Sequence, residues 1–478
     1  MDNALTAKTI DAGFDSVAPR FARLITANSL VPISSLPSEL LSYIFRLGQA
    51  MDFAIVTLEA HLRVLQSFEV LVSHVSSRFR AVALGTPVLW SRITIAPTFR
   101  GEEIDTYLTR SAQCGLKVRM NLASAPSLNT LQMEKVDIMV PHLRQFERLA
   151  INTTYESRLQ PILRRLYHSA APMLQHLSVA VDEVESVPPE DDKILQGGAP
   201  ILTFVRLRGL ALHLFRPPLT NVTTLHLDET TGLPMLYTTF REIITAPSIL
   251  YNLSVYGDLI APQTNTNWDT NVINLPYLRH LRICGVGGAI YSGLLINIRA
   301  PALESLVLKD LKEGDLSHFW ASEYPIATRF PLLSSLTFLD SDVSCDEYLE
   351  MFHVFPDITS FTAAYEMRTP TLLQLLSTPQ PDAEPSRDPK IMWPRLQTLT
   401  LLVNLHDMEH VIVDVVERRK ALRYPLTKLR LGIPHPLSEL SQYAWLKENV
   451  ALERLVEHDG WPKANAAFDA DPDDNLFA

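Results

Sequence analysis

Residues 301–308 read PALESLVL, with Pro301 followed by leucines at positions 303, 306 and 308. The last two leucines stand at alternate positions, which is the spacing of a β-strand that buries one of its faces. The same apolar triad returns many times between residues 146 and 431. This octapeptide therefore predicts the structural unit from which most of the chain is built.

The triads follow the form L-x-x-L-x-L or its apolar equivalent. They begin at Phe146, Leu174, Leu202, Val222, Leu250, Leu278, Leu303, Leu333, Ile358, Leu396 and Leu426. Triads alone are weak evidence, because with 47% hydrophobic residues about one window in ten contains one by chance. Proline is the stronger signal, since only 33 of 478 residues are proline and yet seven stand two residues before a triad. These are Pro172, Pro200, Pro276, Pro301, Pro331, Pro356 and Pro394.

Helical periodicity lies between the triads, notably in residues 159–166, 236–244 and 408–415. Proline is compatible with the entry of a strand, where no ladder donor is needed. A strand and a helix in each unit of roughly 20–30 residues is typical of a leucine-rich-repeat solenoid. Unit lengths vary, and the asparagine or cysteine that usually follows the triad occurs only at Asn404. We therefore predict an α/β fold built as an irregular leucine-rich-repeat (strand-helix) solenoid, with an ordinary α/β domain as the alternative.

A different pattern occupies residues 31–95. The stretch Leu36-Pro37-x-Glu39-Leu40-Leu41-x-x-Ile44-Phe45 predicts a helix whose first turn holds a proline and an acidic residue. Apolar residues at helical spacing predict a second helix from Phe68 to Val82, which a Gly-Thr-Pro sequence at 85–87 ends. Helices this apolar cannot bury all of their side chains within about 60 residues, so a partner is expected. The alternative is that they cap the repeat array.

The two halves of this segment, Leu36–Phe45 and Val72–Ile93, closely resemble the F-box of the type abundant in mushroom-forming fungi. In that family the all-α F-box binds the Skp-type adaptor of a cullin–RING ubiquitin ligase, and the resemblance implies the same role here. It implies adaptor contacts for Leu36, Pro37, Glu39, Leu40, Ile44, Phe45, Val72, Val75 and Trp90. Two features depart from the family: Phe79 stands where tryptophan is usual, and residues 51–66 form an insertion between the halves.

The predicted organisation has four parts. We expect a flexible segment at residues 1–30, the F-box at 31–97, the repeat region at 98–460 and an acidic disordered tail at 461–478. Two polar stretches, 188–192 and 379–390, interrupt the repeat region and predict exposed loops.

Composition narrows the range of partners and compartments. A net charge of −11 argues against a general nucleic-acid or anionic-membrane surface, so we expect neither partner. The three cysteines cannot form a disulfide framework, and the first residues lack the apolar core of a secretory signal. No long apolar run predicts a membrane span. We therefore expect an intracellular protein, in the cytoplasm, the nucleus or both.

One motif has the form of a catalytic site. His406-Asp-Met-Glu409-His410 matches H-x-x-E-H, the pattern of inverted zinc peptidases. Apolar residues such as Met408 and Ile412 form the buried face of the same predicted helix, which places the histidines toward solvent. We therefore expect a coincidental match, with no metal, no cofactor and no enzymatic activity. A zinc enzyme is the alternative.

In a strand whose triad faces the core, the intervening residues face the other side of the sheet. Basic residues at such positions are Arg206, His226, His280 and Arg282 in one cluster and Lys428 with Arg430 in another. One interpretation is a solvated strand face. The sharper interpretation is a site for an acidic or phosphorylated segment of a protein target, held by arginine.

Together these patterns predict the substrate-recognition subunit of an SCF-type cullin–RING ubiquitin ligase. The N-terminal helices would bind the Skp-type adaptor and thereby the cullin ligase core, while the repeats would hold a protein target. Partner proteins would perform the catalysis, and this chain would supply proximity. The alternative is a leucine-rich-repeat scaffold for protein binding without a role in a ubiquitin ligase.

Overall fold

The computed structural model describes twelve stretches of the chain, and every structural statement below refers to them. They are residues 32–58, 67–95, 100–122, 130–183, 192–260, 272–285, 289–320, 329–364, 368–378, 391–402, 408–432 and 436–455. The predicted flexible segment, the acidic tail, residues 379–390 and most of residues 188–192 lie outside the described residues.

The described chain divides into two compact units. The helical unit comprises residues up to Thr94 and residues 100–117, and the sheet unit comprises Ile95 and the residues from Val118 onward. The predicted boundary at residue 97 thus shifts, because residues 100–117 belong with the N-terminal helices. The reason is packing: the Tyr107 hydroxyl hydrogen-bonds to the Ser67 hydroxyl at 2.8 Å, and the Arg110 guanidinium lies 4.3 Å from the Trp90 ring centroid.

Four α-helices form the helical unit: α1 Ser38–Leu58, α2 Phe68–Val75, α3 Ser77–Leu84 and α4 Gly101–Ser111. Helix α1 begins at Ser38 with Glu39 in its first turn, as predicted, whereas Pro37 directly precedes the turn that was predicted to hold it. The prediction of one helix from Phe68 to Val82 is wrong, since extended backbone at Ser76 separates α2 from α3. The Ser76 hydroxyl accepts a hydrogen bond from the Phe79 amide at 3.1 Å, and serine is favoured at such helix starts because it satisfies a free amide there.

Strands recur through the rest of the chain. They are β1 Arg92–Ile95, β2 Leu116–Asn121, β3 Phe146–Tyr155, β4 His176–Glu183, β5 Asp192–Lys193, β6 Phe204–Gly209, β7 Phe215–Arg216, β8 Thr224–Asp228, β9 Asn252–Tyr256, β10 Ile273–Asn274, β11 His280–Cys284, β12 Ile298–Arg299, β13 Ser305–Lys309, β14 Ser335–Leu339, β15 Ser360–Ala364, β16 Thr398–Leu402, β17 Lys428–Leu431 and β18 Ala451–Arg454. Every predicted triad thus contains a strand.

Fourteen of the described strands form one sheet. Their order is β1-β2-β3-β4-β6-β8-β9-β11-β13-β14-β15-β16-β17-β18, which is linear and does not close into a barrel. From β3 to β18 each strand runs parallel to its neighbour. Two short parallel pairs, β5 with β7 and β10 with β12, lie outside this sheet.

Proline acts in the turn before the strand and not at the strand entry itself. In six of the seven turns the residue before proline accepts a hydrogen bond from the amide two residues after it, as Ala300 does from Leu303 at 3.0 Å. The same bond closes the turns at Pro172, Pro200, Pro276, Pro331 and Pro394. Proline therefore occupies the second position of a β-turn, where its fixed backbone angle is favourable, and the strand begins four residues later.

Helices separate most strands of the sheet unit. They are α5 Thr130–Met139, α6 Glu156–Leu166, α7 Ala211–Leu214, α8 Tyr237–Thr245, α9 Ala289–Asn297, α10 Ser317–Trp320, α11 Cys345–Val354, α12 Thr369–Ser377, α13 Glu409–Ala421 and α14 Tyr443–Asn449. Three of them confirm the predicted helices at 159–166, 236–244 and 408–415. None of the described helices has both the length and the apolar character that crossing a lipid bilayer requires.

The core of the sheet unit lies beneath the triads. Leu303, Leu306 and Leu308, from the sequence 301–308, are all buried, as are Leu159 and Ile162 of α6. Burial on one face fixes the register, because a slip of one residue would turn every triad outward. A hydrogen bond also joins neighbouring segments just before each strand of the fourteen-stranded sheet from β4 to β17. There the backbone amide donates to the carbonyl at the equivalent position of the preceding strand in that sheet: Gln175 donates to Glu147 at the first such position, and Thr427 donates to Gln397 at the last.

Candidate functional site

Helix α1 carries two apolar stripes. One contains Leu41 and Phe45, which are buried in the helical unit. The other contains Leu40, Tyr43, Ile44 and Leu47, of which between 41% and 57% of each side chain is exposed. Positions i, i+3, i+4 and i+7 share one side of a helix, so the second stripe is continuous and faces away from the core.

Helix α2 repeats this arrangement on a smaller scale. Its inward positions are Glu69 and Ser73, whereas Leu71 and Val75 are exposed. The six exposed large apolar side chains of the two helices are called the apolar helical face: Leu40, Tyr43, Ile44, Leu47, Leu71 and Val75. Single exposed leucines need no explanation, but a grouped set of large apolar side chains is typical of a protein-binding surface.

A buried polar network holds the helices in place. The Gln49 amide donates to the Glu69 carboxylate and to the Leu89 carbonyl, both at 2.8 Å. The Tyr107 hydroxyl donates to the other Glu69 oxygen and accepts from the Ser67 hydroxyl. Burial and the adjacent Glu69 charge raise the pKa of Tyr107 well above its usual value. These bonds fix α2 against α1 and α4, so the apolar helical face has a defined geometry.

The predicted adaptor contacts divide into two groups. Pro37, Glu39, Leu40, Ile44 and Val75 are exposed, and Leu36 and Val72 are partly exposed. Phe45 and Trp90 are buried instead, so their predicted contact with a partner is corrected to a role in the core of the helical unit.

Aromatic packing explains why these two side chains point inward. The Phe45 ring lies 5.1 Å from the Phe79 ring, and the Trp90 ring lies 5.3 Å edge-on to Tyr107. The Trp90 indole N–H also donates to the Ala83 carbonyl at 2.8 Å. Phenylalanine at position 79, a departure from the resembled family, is thus a core residue.

Sequence reasoning missed Tyr43, Leu47 and Leu71 as surface residues. The signal was available, because Leu40, Tyr43, Ile44 and Leu47 follow helical spacing as regularly as Leu41 and Phe45 do. The sequence alone did not show which of the two stripes faces the core.

The second predicted site, the basic cluster on the strands, is buried. Arg206, His226, Ser254 and Arg282 stand in one row across β6, β8, β9 and β11, each in register with the next. Relative exposure is only 1% for Arg206 and for His226, and 4% for Arg282. A protein target cannot reach these side chains in this arrangement, which corrects the prediction that they bind it.

Hydrogen bonds and an ion pair compensate the burial of these polar side chains. The Arg282 Nε donates to the Ser254 hydroxyl at 2.7 Å, and its Nη2 donates to His226 Nδ1 at 3.2 Å. Because a guanidinium can only donate, His226 accepts at Nδ1 and carries its proton on Nε2. The Arg206 Nε donates to Asp228 Oδ2 at 2.6 Å, a buried ion pair.

The buried histidines His176 and His226 are both neutral, because their surroundings lower their pKa values. Burial, together with the positive charges of Arg282 and Arg206, lowers the pKa of His226 well below its usual value. Burial and the charges of Arg148, Arg206 and Arg119 do the same to the pKa of His176, whose ring stacks on Phe204 at 4.0 Å.

The remaining predicted target contacts are more accessible. His280 is partly exposed, and burial lowers its pKa. Lys428 and Arg430 both pair with the Glu453 carboxylate, at 3.0 and 3.2 Å, and the hydrogen bond from Lys428 lowers the pKa of Glu453. These two cations therefore already share one acidic partner.

Exposed apolar side chains of the sheet unit gather before the strands. Six of the seven large ones in its described residues lie there: Met173, Ile201, Ile249, Tyr251, Tyr277 and Leu332. Four of the six directly follow a turn proline, at the third position of the turn. The seventh is Leu236.

The H-x-x-E-H motif lies only partly within the described residues, since His406 is outside them. Glu409 accepts hydrogen bonds from the Ser441 hydroxyl at 2.8 Å and from the Gln442 amide, and His410 is exposed. Within the part of the chain that the structure describes, His, Cys, Asp and Glu side chains form no group of three suited to a metal ion.

Comparison with models of known protein families gave no match for this sequence, and comparison with curated protein sequences gave none either.

Proposed function

We propose that this chain is the substrate-recognition subunit of an SCF-type cullin–RING ubiquitin ligase. In this proposal the helical unit is an F-box that binds the Skp-type adaptor through the apolar helical face. The sheet unit is an irregular leucine-rich-repeat solenoid that holds a protein target. The chain acts within the cell and catalyses nothing itself, because it supplies proximity to enzymes brought by the cullin.

The observation that carries the proposal is the second apolar stripe of α1. Leu40, Tyr43, Ile44 and Leu47 are about half exposed, although the helix already buries Leu41 and Phe45. Covering one half-exposed side chain of this size stabilises a complex by about 1 kcal/mol, so six provide roughly 6 kcal/mol before the costs of association. In this proposal, the free energy gained on binding explains why these six exposed positions are apolar.

Exposure also supports a partner. Ile44 is 41% and Val75 59% exposed, so a partner can cover more of each side chain. Residues of the resembled motif stand in the apolar helical face, among them Leu40, Ile44 and Val75. The resemblance thus supports a Skp-type adaptor as the protein that covers it.

Co-purification of the full chain with the Skp-type adaptor tests the proposal. The variant is Ile44→Asp, and the matched control is Leu332→Asp, which alters an exposed leucine of the sheet unit. A carboxylate buried in an apolar interface costs about 3 kcal/mol or more, so Ile44→Asp should weaken binding at least about 100-fold. Leu332→Asp should bind the adaptor as the wild type does.

Both variants change exposed positions, so both should keep the circular dichroism spectrum and the melting temperature of the wild type. Failure of the folded wild-type chain to bind the adaptor would refute the proposal. Binding by a complex that never recruits a cullin would instead favour the alternative, a repeat scaffold without a ligase.

A further inference from the structure

Helices α1 to α3, of which the first two carry the apolar helical face, are unevenly charged in their described side chains. Arg46 on α1 and Arg78 and Arg80 on α3 are exposed. Among acidic side chains that the structure describes on α1–α3, Glu39 is exposed and Glu69 is buried in the polar network. Among the side chains that the structure describes on these three helices, three guanidinium groups thus reach solvent beside one carboxylate, on a chain whose net charge is −11.

Hydrogen bonds fix two of these cations at the border of the face. The Arg78 guanidinium donates to the carbonyl of Leu36, one helical turn before Leu40. The Arg80 Nε donates at 3.0 Å to the carbonyl of Ser73, which lies between Leu71 and Val75 on α2. Each side chain is therefore held beside one of the two exposed stripes while remaining exposed.

The third arginine, Arg46, lies beside the exposed stripe of α1. It directly precedes Leu47 and follows Tyr43 by three positions, so it stands next to the exposed stripe of α1. Its side chain forms no hydrogen bond or ion pair with the described residues. Its charge thus contributes nothing to the local fold that would explain its presence.

We infer that the apolar helical face binds a protein surface whose apolar centre is surrounded by carboxylates, placed opposite Arg46, Arg78 and Arg80. This inference rests on the proposed function and names the chemistry of the partner at the same site. Cations around an interface act mainly on the rate and orientation of encounter. The effect matters here because the net charge of the chain is −11, which on average opposes the approach of an acidic partner.

The test uses the full chain and the purified Skp-type adaptor, with association followed by stopped-flow fluorescence. In the wild type, raising the ionic strength from about 0.02 M to about 0.5 M should slow association at least about tenfold, because salt screens charges at the rim. Arg46→Glu should slow association at low salt by about tenfold and leave dissociation nearly unchanged.

Arg241→Glu is the matched control, since it reverses an exposed arginine on α8 of the sheet unit and makes the same change in net charge. Its association rate should stay within about twofold of the wild-type rate. Adaptor binding that does not respond to salt, or equal rates for Arg46→Glu and Arg241→Glu, would overturn this inference and leave the proposed function intact. Absence of adaptor binding by the wild type would overturn both.

Discussion

Apolar side chains are usually buried and charged ones exposed, and the two units of this protein depart from this rule in opposite ways. The helical unit leaves large apolar side chains exposed, as at Leu40 and Ile44. The sheet unit buries charged side chains, as at Arg206 and Asp228. Each arrangement costs free energy unless something compensates it, either a contact within the unit or a contact with another molecule.

In the sheet unit the compensation is internal. Asp228 lies beside Arg206, and Ser254 and His226 accept from Arg282. In the helical unit no described contact covers the second stripe of α1, because its members remain about half exposed. Residue type alone is therefore a poor guide here, because the buried arginines stabilise the fold, whereas the exposed leucines are the residues that we propose bind a partner.

Phe45 and Ile44 give the sharpest test of the comparison, since they are neighbours on α1 and differ in burial. Phe45→Ala should destabilise the helical unit by about 4 kcal/mol, because it empties the space against Phe79. Ile44→Ala should cost less than about 0.5 kcal/mol. Hydrogen exchange of the amides of α3 measures both values in the full chain. Equal losses would mean that Ile44 belongs to the core and that the second stripe is not a free surface.

Asp228 tests the internal compensation in the sheet unit. Asp228→Asn removes the charge that faces Arg206 inside the protein and should destabilise β6 and β8 by about 3 kcal/mol. The double variant Arg206→Met, Asp228→Leu should recover most of this loss, because it removes both charges and keeps similar volumes. Hydrogen exchange of the strand amides measures the difference. A harmless Asp228→Asn would contradict the structural role of the buried Arg206–Asp228 pair.

Much of the fold could be predicted because its signals are local. Each triad marked a strand, since alternation within six residues is enough to define a buried face. The start of α1 followed from Pro37 and Glu39 in the same way. The break at Ser76 was missed because the apolar spacing continues across it, although serine is a common helix cap.

The candidate sites could be predicted only in part, because burial depends on residues distant in sequence. Phe45 is buried by Phe79, and Arg282 reaches across β9 to His226, 56 residues earlier in the chain. No pattern within one helix or strand contains these contacts. The exposed residues Leu40 and Ile44 were identified through the resemblance, while Tyr43 and Leu47 required the structure.

Acid should destabilise the sheet unit through His176 and His226. Their folded pKa values are depressed, so below about pH 6.5 the unfolded chain binds protons that the folded chain excludes, and stability falls as the pH falls. Each histidine contributes at most about 1.4 kcal/mol per pH unit. Urea denaturation at about pH 7 and about pH 5, followed by circular dichroism, measures this loss.

The variants His176→Gln and His226→Gln identify the source of the acid effect. Each should reduce the difference in stability between the two pH values, because glutamine takes up no proton in the unfolded chain. His168→Gln is the control, since His168 is exposed and its ring hydrogen-bonds to Gln196 at 2.9 Å. A pH dependence that persists in the double variant would place the acid sensitivity elsewhere.

The smallest predicted effect concerns how the apolar helical face is held. Ser76→Ala removes the hydroxyl that accepts from the Phe79 amide and should destabilise α3 by about 1 kcal/mol. Ser77→Ala, at the next position, is the control and should cost almost nothing because its exposed hydroxyl caps no amide. Hydrogen exchange of the α3 amides distinguishes the two. If both variants exchange alike, Ser76 does not determine where α2 ends and α3 begins, and the break between them must come from the packing of Phe79 against Phe45.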